Sequence, residues 1–126
     1  MEIVGIGTEI VECVRIGRMI HEHGELFLAR VFTPAEVRYC QDHKNTTELF
    51  ASQWAGKEAI LKALGVHSTK KLALSDMEIE RVAERPKVCL SGAIKELAQQ
   101  QNVGDILVTL AHCRTHGVGY ALALKA

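Results

Sequence analysis

Neither sign of charge prevails in this sequence: fifteen lysines and arginines meet fifteen aspartates and glutamates. A bulk electrostatic attraction to nucleic acid or to an anionic membrane is therefore not expected, and any charged partner must be met by a local patch. No apolar run is long enough to span a bilayer. The N-terminal MEIVGIGTEI is too short and too acidic for a signal peptide. The four cysteines, Cys13, Cys40, Cys89 and Cys113, show no CxxC and no framework spacing. Reduced thiols in a cytoplasmic protein are the expectation. Internal repeats, linkers and low-complexity tracts are lacking, so one domain over residues 1–126 is expected. There is no Walker loop, no GxGxxG and no GxSxG.

What is present is organised around Glu48–Gly65, ELFASQWAGKEAILKALG, rich in good helix formers. At 3.6 residues per turn Phe50, Trp54, Leu61 and Leu64 form an apolar stripe. Lys57 falls inside that stripe, Glu58 at its edge, and Lys62 follows Glu58 at i+4. Two readings stand on periodicity alone. The lysines can snorkel and Glu58 can pair with Lys62 at the surface, or the charges serve a site, because half-buried charge is costly unless paired or used.

The rest of the chain alternates cleanly. Residues 2–8 read as a strand with Gly5 and Gly7 on one face, a sign of close approach by another backbone or a ligand. Glu9 falls where that strand ends, either as a working side chain or as the start of the next helix. Ile10–His23 reads as an amphipathic helix, with Val11 and Val14 set against Arg15 and Arg18, stopped by Gly24. A short helix over Glu25–Val31 follows. Thr33-Pro34-Ala35-Glu36 is a capping-box start for a helix that carries Val37, Tyr39 and Cys40. Val66–Leu74 is a loop containing Lys70 and Lys71. Met77–Val82 and Lys87–Leu90 form a hairpin through Ala83–Pro86. Ser91 caps a helix over Gly92–Gln101, and two strands, 105–112 and 118–124, close the chain. This order predicts an α+β fold with a largely antiparallel sheet around a long central helix.

Glu9, Glu58 and the neighbouring lysines are the best chemical constellation. Carboxylates from separate elements suit Mg²⁺, which takes few protein ligands and fills its octahedron with water and phosphate oxygens. Lysine offers a compact charge for phosphate. His112-Cys113 and His116 lack the four regularly spaced ligands of a zinc site.

GIGTEIVE at Gly5–Glu12, FTPAE at Phe32–Glu36, FASQWAGKEAILKALG at Phe50–Gly65 and the closing strand pair with His112 resemble the holo-[acyl-carrier-protein] synthase family, the small trimeric class of 4′-phosphopantetheinyl transferases. The resemblance runs in order over nearly the whole chain. It implies that family's α+β fold, a homotrimer with active sites between subunits, and a place in fatty acid biosynthesis. It implies transfer of the phosphopantetheine arm of coenzyme A to a serine of apo acyl carrier protein, releasing adenosine 3′,5′-bisphosphate. It also implies Mg²⁺ on Glu9 and Glu58, with Glu58 as candidate base, directly or through a water, and Lys62 on the leaving phosphate. Lys57, Gly65, Pro86 and His112 would line the coenzyme A site, and Arg15 and Arg18 would meet the acidic carrier protein.

Three positions depart from the family pattern. Glu9 stands where aspartate is usual, Gln53 where arginine is frequent, and Gly65-Val66-His67 where GTG is common. They leave open an alternative, a catalytically impaired module that binds coenzyme A or the carrier protein.

Overall fold

A computed structural model describes residues 1–67, 72–81 and 84–126; Lys70, Lys71, Val82 and Ala83 lie outside the described residues. In chain order the elements are β1 (Ile3–Glu12), α1 (Cys13–His23), α2 (Glu25–Val31), α3 (Pro34–Gln41), α4 (Thr46–Ala63), β2 (Met77–Glu80), β3 (Lys87–Leu90), α5 (Gly92–Gln100), β4 (Val103–His112) and β5 (His116–Lys125). A short 3₁₀ turn at Leu74–Asp76 precedes β2. The strands form an antiparallel sheet in the order β1-β5-β4 and a separate antiparallel hairpin, β2-β3. The fold is α+β and largely antiparallel, as the element order predicts. No helix among the described residues is long and apolar enough to cross a membrane.

The start and stop signals act as their chemistry requires. Thr33 and Glu36 complete a capping box with Pro34 in the first turn. Gly65, at φ +76°, ends α4; its N–H donates to Lys62 O and the Val66 N–H to Leu61 O, a Schellman closure. Ser91 stands at the α5 N-cap, yet its hydroxyl donates to Asp76 O and accepts from no helix amide.

Two expectations need correction. β1 does not end at Thr8 but continues to Glu12, paired along β5 from Ile3↔Leu124 to Glu12↔His116. The apolar, β-branched run Ile10-Val11 fits a strand as readily as a helix, and strand pairing decides. As a result α1 begins only at Cys13, Ile16 fills the core and Val14 is exposed.

The second concerns α4. It is not amphipathic but buried almost all round, with Leu49 to Gln53, Ala55 to Lys57 and Ala59 to Leu61 all inside. The three-stranded sheet lies along one side, and α1, α3 and β2 pack on others. Contact with the sheet is backbone to backbone. A Cβ on Gly5 or Gly7 would overlap the carbonyls of Ala63 and Ala59, and one on Gly117 or Gly119 would overlap Ser52 or Gly56. The glycine pair of β1 therefore marks close approach of a helix. Because small residues of β1 and β5 face α4, their larger neighbours face outward: Ile6 and Ile10 are 56% and 61% exposed, and Tyr120 beside them is 41% exposed.

Candidate active site

One ridge of α4 carries Trp54, Glu58 and Lys62 at successive i+4 positions, so the three side chains stack along one edge of the helix. β1 runs beside this ridge. Glu9, in mid-strand opposite Gly119, shares the inward face of Gly7 and Val11. Its carboxylate pairs with Lys62 Nζ at 3.2 Å, and the same ammonium donates to Thr8 O at 3.0 Å. Glu58 Oε1 accepts from Trp54 Nε1 at 3.0 Å. Glu9 and Glu58, together with Ile10, Val11, Arg15 and Trp54, line one cavity of about 260 Å³.

The extension of β1 is what makes this assembly possible. A rigid strand, not a loop at a strand end, presents Glu9 to the helix, and the extra methylene of glutamate reaches the Lys62 ammonium. A roomier cavity, about 640 Å³, opens between α2 and α3 against Leu28, Phe32 and Val37. It holds no pair of facing carboxylates, so the chemistry belongs to the smaller one.

The donor set fits a hard divalent cation. Two carboxylates from different elements face one solvent-accessible cavity, with a lysine at hand. No three His, Cys, Asp or Glu residues are grouped to hold a metal among the described residues. Two carboxylates could serve as the few protein ligands that Mg²⁺ takes.

Lys57 is elsewhere and does something else. Its side chain is fully buried, with Nζ 2.5 Å from Glu36 Oε1 and donating to Val31 O and Leu74 O. The expectation that Lys57 faces a phosphate-binding cleft is therefore corrected: it ties α4 to α2 and α3 from inside. Burial pushes its pKa down and Glu36 pulls it back. Glu36 is the hub. Besides Lys57 it accepts from the Thr33, Gln53 and Ile79 nitrogens. Gln53, in the position where arginine is frequent, is likewise interior, donating to Glu36 and to Ile79 O. Nothing in the capping-box signature reveals that Glu36 also carries the core's ion pair.

The remaining residues are not gathered in one chain. Gly65 is at the C-terminal end of α4. His112, at the end of β4, sits 3.7 Å from Glu48 and hydrogen-bonds Asn45 at the other end of that helix. At 1.5 Å per residue, Glu48 and Gly65 are roughly 25 Å apart. Pro86 is half-buried just before β3. Arg15 and Arg18 are exposed on α1, with the Arg15 guanidinium 5.5 Å above the Trp54 ring. Trp54, which the sequence offered only as part of an apolar stripe, proves to touch both Arg15 and Glu58.

Comparison with known proteins shows which family this fold belongs to. Residues 5–119 match the model of the 4′-phosphopantetheinyl transferase superfamily. The holo-[acyl-carrier-protein] synthase of Rhodopirellula baltica is 41% identical over 123 residues, covering 97% of this chain and 98% of that one. The crystal structure of the Neisseria meningitidis holo-[acyl-carrier-protein] synthase superposes with TM-score 0.86 at 25% identity, over 98% of this chain and all of that one. The Helicobacter pylori holo-[acyl-carrier-protein] synthase in complex with coenzyme A gives TM-score 0.81 at 28% identity, over 94% and 99%. With the carboxylate pair and Lys62 set on this frame, the chain belongs to the 4′-phosphopantetheinyl transferase superfamily.

Proposed function

We propose that this protein is a Mg²⁺-dependent holo-[acyl-carrier-protein] synthase: it moves the phosphopantetheine arm of coenzyme A onto a serine of apo acyl carrier protein. The observation that carries the reading is the convergence of Glu9 and Glu58 on one cavity, with Lys62 paired to Glu9 beside it, in a chain whose relatives bear that activity's name.

The chemistry follows from the groups present. The serine oxygen bonds to the β-phosphorus of coenzyme A while the bond from that phosphorus to the oxygen bridging the α-phosphate breaks. The serine proton passes to the Glu58 carboxylate, directly or through a water. The electron pair stays on adenosine 3′,5′-bisphosphate, where the Lys62 ammonium neutralises it. Mg²⁺ held by Glu9 and Glu58 would spread the negative charge of the pyrophosphate. Lys62 leaves Glu9 for the phosphate when substrate enters, and the exposure of both partners, 47% and 27%, makes that exchange cheap.

The working form is a homotrimer with its sites between subunits. The outer face of the sheet, with Ile6, Ile10 and Tyr120 exposed, supports this. So does the separation of His112 from Gly65 along α4: a coenzyme A site that uses Gly65, Pro86 and His112 takes them from more than one copy. Arg15 and Arg18 dock the acidic carrier protein. A cytoplasmic location fits four free cysteines.

The test is product release. Adenosine 3′,5′-bisphosphate should accumulate from coenzyme A only when apo carrier protein and Mg²⁺ are both present. Release that needs neither would overturn the reading.

A further inference from the structure

We infer that Trp54 is a positioning residue for Glu58: its indole N–H holds one carboxylate oxygen so that the other is presented to the metal. The inference rests on the reading of Glu58 as a metal ligand.

The ring is fixed before it acts. Phe27 packs against it at 5.4 Å between centroids with the planes tilted by 59°, and the Arg15 guanidinium lies 5.5 Å from its centroid. These contacts from α2 and α1 restrict the indole. Its Nε1 donates to Glu58 Oε1 at 3.0 Å, one helical turn away. Among the described residues this is the hydrogen bond that Glu58 makes, so Oε2 remains for a cation in the cavity both side chains line.

A free glutamate at a helix edge samples several rotamers, and a metal that demands near-ideal octahedral geometry must select one. An N–H from a clamped ring makes that selection in advance, as hydrogen bonds to ligating carboxylates do in metal sites generally. Phenylalanine keeps an aromatic ring there but is smaller and has no donor, whereas a benzothienyl ring keeps the bicyclic shape and lacks only the N–H. The distinction is therefore one N–H bond, and it is separable from packing.

The experiment uses the full-length protein and Mn²⁺ as the probe, with free ion read by electron paramagnetic resonance. Trp54→Phe should raise the Mn²⁺ Kd by about 10-fold or more. In transfer assays it should raise the Mg²⁺ concentration for half-maximal rate, whereas a merely structural defect lowers the rate at every Mg²⁺ concentration without moving that half-point. The chain has one tryptophan, so replacing it with its benzothienyl analogue, the same shape without N–H, repeats the test where Trp54→Phe folds poorly. Wild-type Mn²⁺ affinity in both proteins, with binding lost in Glu58→Gln, would overturn the positioning role and leave the metal reading intact. Wild-type affinity in Glu58→Gln would overturn the metal reading, and this inference with it.

Discussion

Lys57 Nζ and Glu36 Oε1 meet 2.5 Å apart where neither side chain reaches solvent. The pair joins the capping residue of α3 to the middle of α4, and two backbone carbonyls take the remaining ammonium protons. Desolvation of both charges is offset only while they stay together. Lys57→Met should therefore destabilise the protein by about 3–5 kcal/mol in urea unfolding, because it strands the Glu36 charge. Adding Glu36→Gln should restore part of the loss. A Lys57→Met protein as stable as wild type would show that the pair does not hold the core.

Backbone contact between α4 and the sheet makes a second prediction. Gly7→Ala should cost about 3 kcal/mol or more, since its Cβ meets the Ala59 carbonyl and neither backbone can yield. Gly65→Ala has open space around it and a φ of +76°, so it should cost only about 1 kcal/mol. Equal melting temperatures for the two variants would contradict the packing described.

How much of this was legible in the sequence divides along physical lines. Residues with local rules announced themselves: Thr33 and Glu36 as a cap, Gly24 and Gly65 as stops, Gly5 and Gly7 as a contact. Burial of α4 on all sides was not legible, because alanine and glycine give no periodic signal, and Lys57 therefore looked like a lysine near a cleft. The reach of β1 to Glu12 was hidden because Thr8–Glu12 fits helix and strand alike. Glu9, Glu58 and Lys62 were readable as candidates, and the structure brings Glu9 and Glu58 to one cavity with Lys62 paired to Glu9. The Trp54 hydrogen bond was not, since an aromatic at a stripe position reads as core.

Burial pushes the Cys40 thiol up to about 12, against an ordinary value of 9.0. A pKa raised by folding gives stability that is complete below the unfolded value and lost as pH rises toward the folded one. Stability should thus fall between pH 9 and 12 by at most about 1.4 kcal/mol per pH unit from this group. Cys40→Ala should show a flatter decline over that window in urea titrations. An identical slope would remove Cys40 from the alkaline response.

Arg15 and Arg18 supply exposed positive charge one turn apart on α1, and Arg15 lines the cavity. Arg18→Glu should weaken carrier binding chiefly through association rate, and added salt should mimic the substitution in the wild type. Arg15→Glu should also disturb the Trp54 ring it covers, and so lose more. If the double variant binds carrier protein as the wild type does, the docking surface lies elsewhere.

The central claim is transfer through the Glu9, Glu58 and Lys62 cluster, and intact-mass measurement of an acidic apo acyl carrier protein tests it most directly. With coenzyme A, Mg²⁺ and the wild-type protein, the carrier should gain the mass of one phosphopantetheine arm. With Glu58→Gln, folded as judged by circular dichroism, it should gain none over the same time. An unchanged carrier mass with the wild-type protein, or full conversion by Glu58→Gln, would contradict the account.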